Sequence, residues 1–435
     1  MQMKQSSLVT ATLLFAGCAS TLLAQSASPG GGTSVTIPGS SVVNPSDAGM
    51  RAHTNIQLLV SPGHFNGTPQ FYGPPFAGYF YEDPASIACI YELQPQVPGC
   101  NPNVAFLNPN GGRKAIGIVD AYDDPNAYAD LATFSAQFGV AAINPTSFIV
   151  VFAPHGATPP GACTGTATRP PVDSSGGWEV EESLDIEWAH AMAPEATLYL
   201  VEAQSNSFLD LLCAVTVAGN LVKAAGGGEV SMSWGSGEFP SETILDPVFT
   251  TAKVVYFASA GDSPGASYPS ASPNVVSVGG STLSTDPITG DFIGENVWQQ
   301  AGGGPSAYES RPTYQNGISS IVGSHRGTPD VALDANPYTG VWVLDNFLAP
   351  PGCSPQCWYI VGGTSLSSPM MAGIVNAANS FSASTDAELA KLYGDPHADF
   401  TDIKLGSCGP YMGYFASSGW DFCSGLGSPK TYKGK

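Results

Sequence analysis

Between residues 114 and 259, short apolar runs alternate with amphipathic helical patterns, and this alternation restricts the fold more than any other feature. Residues 114–120 (KAIGIVD), 147–153 (SFIVVFA), 197–202 (TLYLVE), 229–234 (EVSMSW) and 254–259 (VVYFAS) predict buried strands. Residues 126–138, 178–192 and 208–225 carry helical spacing between them. A strand that is apolar on both faces has to be covered on both faces. Strand–helix–strand order joins such strands in parallel, so the expected class is α/β, a parallel sheet flanked by helices. Ligands in these sheets collect at the carboxyl ends of the strands.

The chain has 435 residues, long for one domain but not clearly two. Apolar residues make up 43%, enough for a large core, while charged residues are only 11%. Acidic residues outnumber basic ones 35 to 14, for a formal charge of −21. No Lys/Arg cluster exists to hold phosphates, which argues against a nucleic-acid partner. Few cations also means few ion pairs to lose when carboxylates protonate, consistent with acid tolerance or with a plain solubility bias.

Lys4 followed by the apolar stretch 8–24 reads as a signal peptide over residues 1–24, with cleavage after Ala24. The alternative is lipoprotein processing and a lipid anchor at Cys18, although Phe15 is unusual for such a site. No other stretch is apolar and long enough to span a bilayer. The expected location is therefore secreted or periplasmic. Eight cysteines remain beyond Cys18, an even count that suits disulfides. Proximity favours Cys89–Cys100, Cys353–Cys357 and Cys408–Cys423, leaving Cys163–Cys213. Residues 25–50 are rich in Ser, Gly and Pro and read as flexible linker, within an N-terminal segment 25–75.

Three constellations carry chemistry. In Gly362-Gly363-Thr364-Ser365-Leu366-Ser367-Ser368-Pro369, a glycine turn after a strand opens a helix at Ser365. A serine there sits where free N–H groups and the helix dipole favour developing negative charge, which suits a nucleophile as well as an ordinary cap. A nucleophilic serine needs a base. None of His53, His64, His155, His190, His325 and His397 lies in a His-Gly-Thr-His context. The stretch 178–190 offers carboxylates instead: Glu181 and Asp185, four apart, share one helix face with Leu184, Trp188 and Met192 on the same broad side. Two carboxyls on an inward face share a proton, which raises one pKa. A solvated acidic helix is the plainer reading of Glu179, Glu182 and Glu187 beside them. The third constellation is Phe257-Ala258-Ser259-Ala260-Gly261-Asp262, a strand running into a glycine turn with an aspartate at its end. Ionised, Asp262 repels an oxyanion; protonated, it donates to one.

In the order Glu/Asp, Asp, Ser, these elements resemble the sedolisin family of serine-carboxyl peptidases. The likeness covers about residues 75–430 and extends to residues 116–125, 231–235, 268–273, 278–282 and 329–332. The resemblance implies a subtilisin-like fold in a single catalytic domain, residues 76–430. It implies a secreted, acid-active endopeptidase of protein or peptide substrates, and a monomer is expected. It makes Ser365 the nucleophile, Glu181 its base, Asp185 the residue that places Glu181, and Asp262 the stabiliser of the oxyanion. Ser233, Trp234 and Gly235 would pair with the substrate backbone. One structural calcium would be held by the carboxylates of Asp402 and Asp421 and the carbonyls of Ile403, Ser417 and Gly419. The chain is expected to depart from the family in lacking the usual large prosegment, and it carries Gly363 where a serine is common. Competing readings are a histidine-based enzyme using Asp120 with His155 or His190, an inactive peptide- or carbohydrate-binding relative, and a calcium-dependent adhesive protein.

Overall fold

The apolar runs pair with one another, as strands buried on both faces must. The computed structural model describes residues 34–60, 69–70, 73–76, 78–93, 100, 107–286, 288–289, 291–347, 353, 356–394, 397–408 and 413–435. In chain order the strands are β1 (His53–Thr54), β2 (Gln57–Val60), β3 (Ala115–Ala121), β4 (Phe148–Phe152), β5 (His155–Ala157), β6 (Ala162–Thr164), β7 (Thr197–Ala203), β8 (Gly228–Met232) and β9 (Trp234–Gly237). They continue as β10 (Val254–Ser259), β11 (Ser267–Tyr268), β12 (Val276–Thr285), β13 (Phe292–Val297), β14 (Gly304–Ser310), β15 (His325–Thr328), β16 (Val331–Asp334), β17 (Val341–Leu344) and β18 (Trp358–Gly362). The helices are α1 (Pro84–Ile90), α2 (Ala127–Phe138), α3 (Gly177–Met192), α4 (Phe208–Ala224), α5 (Ser319–Val322), α6 (Thr364–Ala377) and α7 (Thr385–Gly394).

Among the described residues the largest sheet has eight strands, ordered β13-β12-β10-β8-β3-β7-β4 with β16 beside β12. Its pairings are parallel except that of β12 with β13. This is the α/β sheet flanked by helices that the alternation predicts. Central β3 is buried at every residue. Ile116 and Ile118 join the core under α2, α3 and α6, while Ala115, Val119 and Ala121 join the core under α4. That two-residue period places a helical layer on each face. α3 and α6 approach closely: a Cβ on Gly373 would lie 2.6 Å from Met192 Cβ and 3.0 Å from the Ala189 carbonyl oxygen. This contact brings the acidic helix and the serine helix together.

The expected strand over 229–234 divides in two. β8 ends at Met232, and the chain leaves the main sheet so that β9 sits in a separate three-stranded sheet, β1-β9-β11. Residues 34–50, expected as flexible linker, fold back on the strands that follow. Thr36 exchanges backbone hydrogen bonds with Leu58 at 2.7 and 2.9 Å, and Ser40 and Ser41 bond the Thr54 hydroxyl. Hydroxyls and backbone groups hold this stretch, and neither leaves a hydrophobic period to read. His155 lies in the short β5–β6 hairpin. The disulfides are Cys89–Cys100, Cys163–Cys213, Cys353–Cys357 and Cys408–Cys423, the pairs that proximity favours. Among the described residues no helix is long and apolar enough to cross a membrane. The signal peptide, Cys18 and His64 lie outside the described residues.

Candidate active site

Ser365 is the second residue of α6, which Gly363 enters at φ +110°. Pro369 sits inside this helix and has no N–H to give the carbonyl four residues back. That carbonyl belongs to Ser365, and it lies instead 3.1 Å from Ser233 Oγ. The same Ser233 hydroxyl lies 2.8 Å from Asp185 Oδ1. Ser365 Oγ is 3.0 Å from Glu181 Oε2 and 2.9 Å from the Ser233 carbonyl oxygen. The serine and the acid pair expected from the sequence thus meet, and Glu181, Asp185 and Ser365 have no exposed surface.

α3 is buried on all sides, Glu179, Glu182 and Glu187 included. These acids do not form the solvated helix face that their number suggests. Burial holds Glu181 well above the ordinary carboxyl range, and the charges of Asp185 and Asp120 push the same way. Burial and then Asp120 raise Asp185, while hydrogen bonds from Ser233 and Glu181 partly offset them. Asp120 itself is raised to about 8 by burial. Its two oxygens have no hydrogen-bond partner among the described residues. Carboxyls this crowded keep protons among them. A pair that carries one proton still presents an oxygen able to accept the Ser365 proton.

Asp262 follows β10 through Gly261. Its Oδ1 accepts from Thr364 N at 2.8 Å and Thr364 Oγ1 at 2.9 Å. Its buried Oδ2 has no partner among the described residues. Burial lifts Asp262 to about 7 against the opposing pull of the Thr364 bonds. Below that pH it is protonated, and because Oδ1 is committed as an acceptor the proton resides on Oδ2. A Cβ on Gly363 would stand 2.7 Å from that atom, so a serine at 363 would crowd it.

Trp234 Nε1 donates to the Val119 carbonyl at 2.7 Å, locking the start of β9. Of the residues expected to pair with the substrate backbone, Trp234 and Gly235 lie in β9, which is paired on both sides, with β1 and with β11. Asn55, just after β1, contacts the serine directly: its N–H donates to Ser365 Oγ at 3.1 Å, and its carbonyl accepts the Ser365 N–H at 3.2 Å. The sequence reading missed Asn55, since nothing in its aperiodic surroundings marks it. It missed the bond from Thr364 to Asp262, although Thr364 lies inside the serine motif. It weighed Asp120 only as a partner for histidine. The described histidines stand elsewhere: His155 is 65% exposed and 3.4 Å from Asp210, and His190 bonds the Ala141 carbonyl at 2.7 Å.

Asp402 and Asp421 converge on the turn 417–421. Both Asp402 oxygens accept from Gly419 N at 3.2 and 3.1 Å. Asp421 accepts from Ser417 N at 2.8 Å. Lys404 stands 3.4 Å from Asp402. Among the described residues, the carbonyls of Ile403, Ser417 and Gly419 accept no backbone N–H, and no cluster of three or more His, Cys, Asp or Glu forms a metal site. Two carboxylates and three backbone carbonyls, that of Ile403 also 3.5 Å from Ser424 Oγ, fit a hard cation in donor type.

No protein-family model matches the chain. Among curated proteins it is similar to sedolisin of Pseudomonas sp. (strain 101), 27% identical over 363 residues, covering 74% of this chain and 57% of that protein. It is similar to kumamolisin of Bacillus sp. (strain MN-32), 29% identical over 379 residues, covering 80% and 61%. Xanthomonalisin of Xanthomonas sp. (strain T-22) is 33% identical over 185 residues, 37% of this chain and 21% of that protein. The chain thus spans 57–61% of the length of the first two relatives. Among solved structures it superposes on Pseudomonas sedolisin, a serine-carboxyl proteinase complexed with two molecules of pseudo-iodotyrostatin. The TM-score is 0.63 at 24% identity, covering 84% of this chain and 97% of that one.

Proposed function

We propose that this chain, similar to sedolisin and kumamolisin over most of its length and sharing the subtilisin-like fold, is a sedolisin-family serine-carboxyl peptidase hydrolysing peptide bonds at acid pH. Ser365 Oγ attacks the substrate carbonyl carbon while its proton passes to Glu181. Asp185 holds the Glu181 carboxyl in place through their shared proton. The developing oxyanion takes hydrogen bonds from the Ser365 N–H and from protonated Asp262 Oδ2. Glu181 gives the proton to the leaving amine, and water then hydrolyses the acyl-serine by the reverse traffic. The single observation behind this reading is the 3.0 Å contact of Ser365 Oγ with Glu181 Oε2, with no described histidine in that place.

Residues 76–430 make up the proposed peptidase domain, exported after loss of residues 1–24. Asp402, Ile403, Ser417, Gly419 and Asp421 would hold one calcium ion. When bound, the ion supplies a charge that ties two loops together, and the chemistry above does not run through it. The test is hydrolysis of an acid-denatured protein from strongly acid to neutral pH, with Ser365→Ala as control. The reading expects acid activity that the variant lacks. Equal turnover by the variant, or activity confined to neutral pH, refutes it.

A further inference from the structure

Four acids from separate elements meet at the far end of β9, away from the serine. Glu238 follows the strand directly, and β14 supplies its donors: the Ser306 hydroxyl donates to Oε1, and the Ala307 N–H to Oε2 at 3.0 Å. Both Glu238 oxygens are thus committed as acceptors. Glu242, in the 3-10 turn Glu242–Ile244, has no exposed surface. Its Oε2 accepts the Phe239 N–H at 2.8 Å, while Oε1 has no donor among the described residues. Yet this carboxyl shares a hydrogen bond with Glu238. Two carboxyls are joined only by a proton, and with Glu238 already accepting, the proton belongs to Glu242. The arrangement recurs in the next turn, Asp246–Phe249. Asp246 accepts from the Tyr268 hydroxyl at 3.1 Å, and Tyr268 lies in β11 opposite Ser236 of β9. Glu309 of β14 is 4% exposed, its Oε1 has no donor among the described residues, and it shares a hydrogen bond with Asp246. Here Glu309 holds the proton. Glu238 and Asp246 press on Glu309, and Glu238 and Glu309 press on Glu242. Arg326 of β15 pulls Glu309 the other way, but its guanidinium is engaged by Asp330 at 2.8 Å.

We propose that Glu242 and Glu309 are positioning residues for the peptide: as proton donors to Glu238 and Asp246 they clamp the end of β9 to β14 and β11, and their ionisation frees that end and weakens substrate binding. The inference rests on the peptidase reading above, with β9 as the strand that receives the peptide. Each shared proton turns a repulsion between carboxyls into a charge-assisted hydrogen bond. Once both are lost, four carboxylates stand together, and among the described residues none of them has an ion pair. Burial raises Glu242 to about 9 and Glu309 to about 8, and the facing acids add to it. Both are raised above the unfolded value, so the clamp is complete below the ordinary carboxyl range and is lost as pH rises through about 8 to about 9. Ser233, which precedes β9, keeps its own bonds to Asp185 and to the Ser365 carbonyl. The opening therefore reaches the strand without reaching the nucleophile, and its cost falls on KM.

The test uses the full chain, with hydrogen exchange of residues 234–249 and KM for one peptide, each from about pH 6 to about pH 9. At the upper limit about half of Glu242 and about a tenth of Glu309 still hold their protons. In the wild type, exchange corrected for its intrinsic pH dependence should rise at least about tenfold over that range, and KM should rise with it. In Glu242→Gln/Glu309→Gln the amides donate at any pH, and both rises should shrink to about twofold or less. Glu242→Leu has no donor and should show a raised KM already at about pH 6. Each single amide variant should show a smaller rise than the wild type, which keeps the test decisive if the pair does not fold. Wild-type exchange that ignores pH, or a rise as large in the amide variants, overturns the clamp. Opening without a rise in KM overturns the positioning role and leaves the peptidase reading standing. A wild type that digests nothing at any pH overturns the peptidase reading and the positioning role with it, while the exchange still decides the clamp.

Discussion

Replacing Asp262 by asparagine separates its proposed role as a hydrogen-bond donor to the oxyanion from its titration. Oδ1 is tied to Thr364 N and Oγ1 at 2.8 and 2.9 Å. The new amide therefore keeps its oxygen there and puts its nitrogen where Oδ2 stood. In the wild type that position donates only while the carboxyl is protonated, and burial sets its midpoint at about 7. By one pH unit above that midpoint only about a tenth of the molecules retain the proton, so the rate should fall roughly tenfold per unit. The fall is limited by the worth of one oxyanion donor, about 10²–10³-fold. In Asp262→Asn the donor is permanent and this limb should vanish. The Glu181–Asp185 pair is present in both proteins, so its titration largely cancels when the two profiles are divided, apart from the upward push that ionised Asp262 exerts on Glu181 as the smallest of its causes. The assay is kcat/KM for one peptide from acid to mildly alkaline pH, with melting temperatures to establish that both proteins are folded. The ratio of variant to wild type should rise about tenfold per unit above about pH 7. A flat ratio would refute the reasoning, as would a folded variant that is inactive at every pH.

Glu181→Gln cannot accept the Ser365 proton and should cut kcat by about 10²–10⁴-fold, whereas exposed His155→Ala should retain most activity; comparable losses in the two would exclude the carboxyl base. Burial raises Asp120, Glu229 and Asp345 to about 8 and Asp124 to about 7. Groups raised in this way bind more protons folded than unfolded. Their stabilisation is complete below the ordinary carboxyl pKa of about 4 and is lost as pH rises through 7–8. The melting temperature should therefore fall between about pH 4 and about pH 8, and a rise over that range would contradict these environments. A calcium chelator should lower the melting temperature. Saturation at about 100 times Kd is worth about 2.7 kcal/mol, and a calcium-independent melt would remove the metal from the reading.

The parallel sheet and its helices were legible because strands buried on both faces leave continuous apolar runs, as in β3 and β10, and helices leave their own period. The serine motif was legible because Gly363, Thr364, Ser365 and Pro369 act locally: a turn, a helix start and a missing N–H. Glu181 and Asp185 were legible as neighbours on one face, but not as members of a helix sunk into the core. Helical spacing says which residues share a face. It does not say whether a second helix, admitted by Gly373, covers that face. Asn55 was invisible for a related reason. Its part depends on backbone atoms of β1 pairing with β9 from far along the chain, and backbone hydrogen bonds leave no mark on residue type. By itself the sequence determined the fold class, most strand and helix positions, the favoured cysteine pairs and the candidate reactive groups, since each depends on neighbours or on local period. Only the tertiary structure decided which carboxyl meets the serine, which acids lose water and so hold their protons, and which segment lies across the cleft. Those depend on distances between residues that no local spacing encodes.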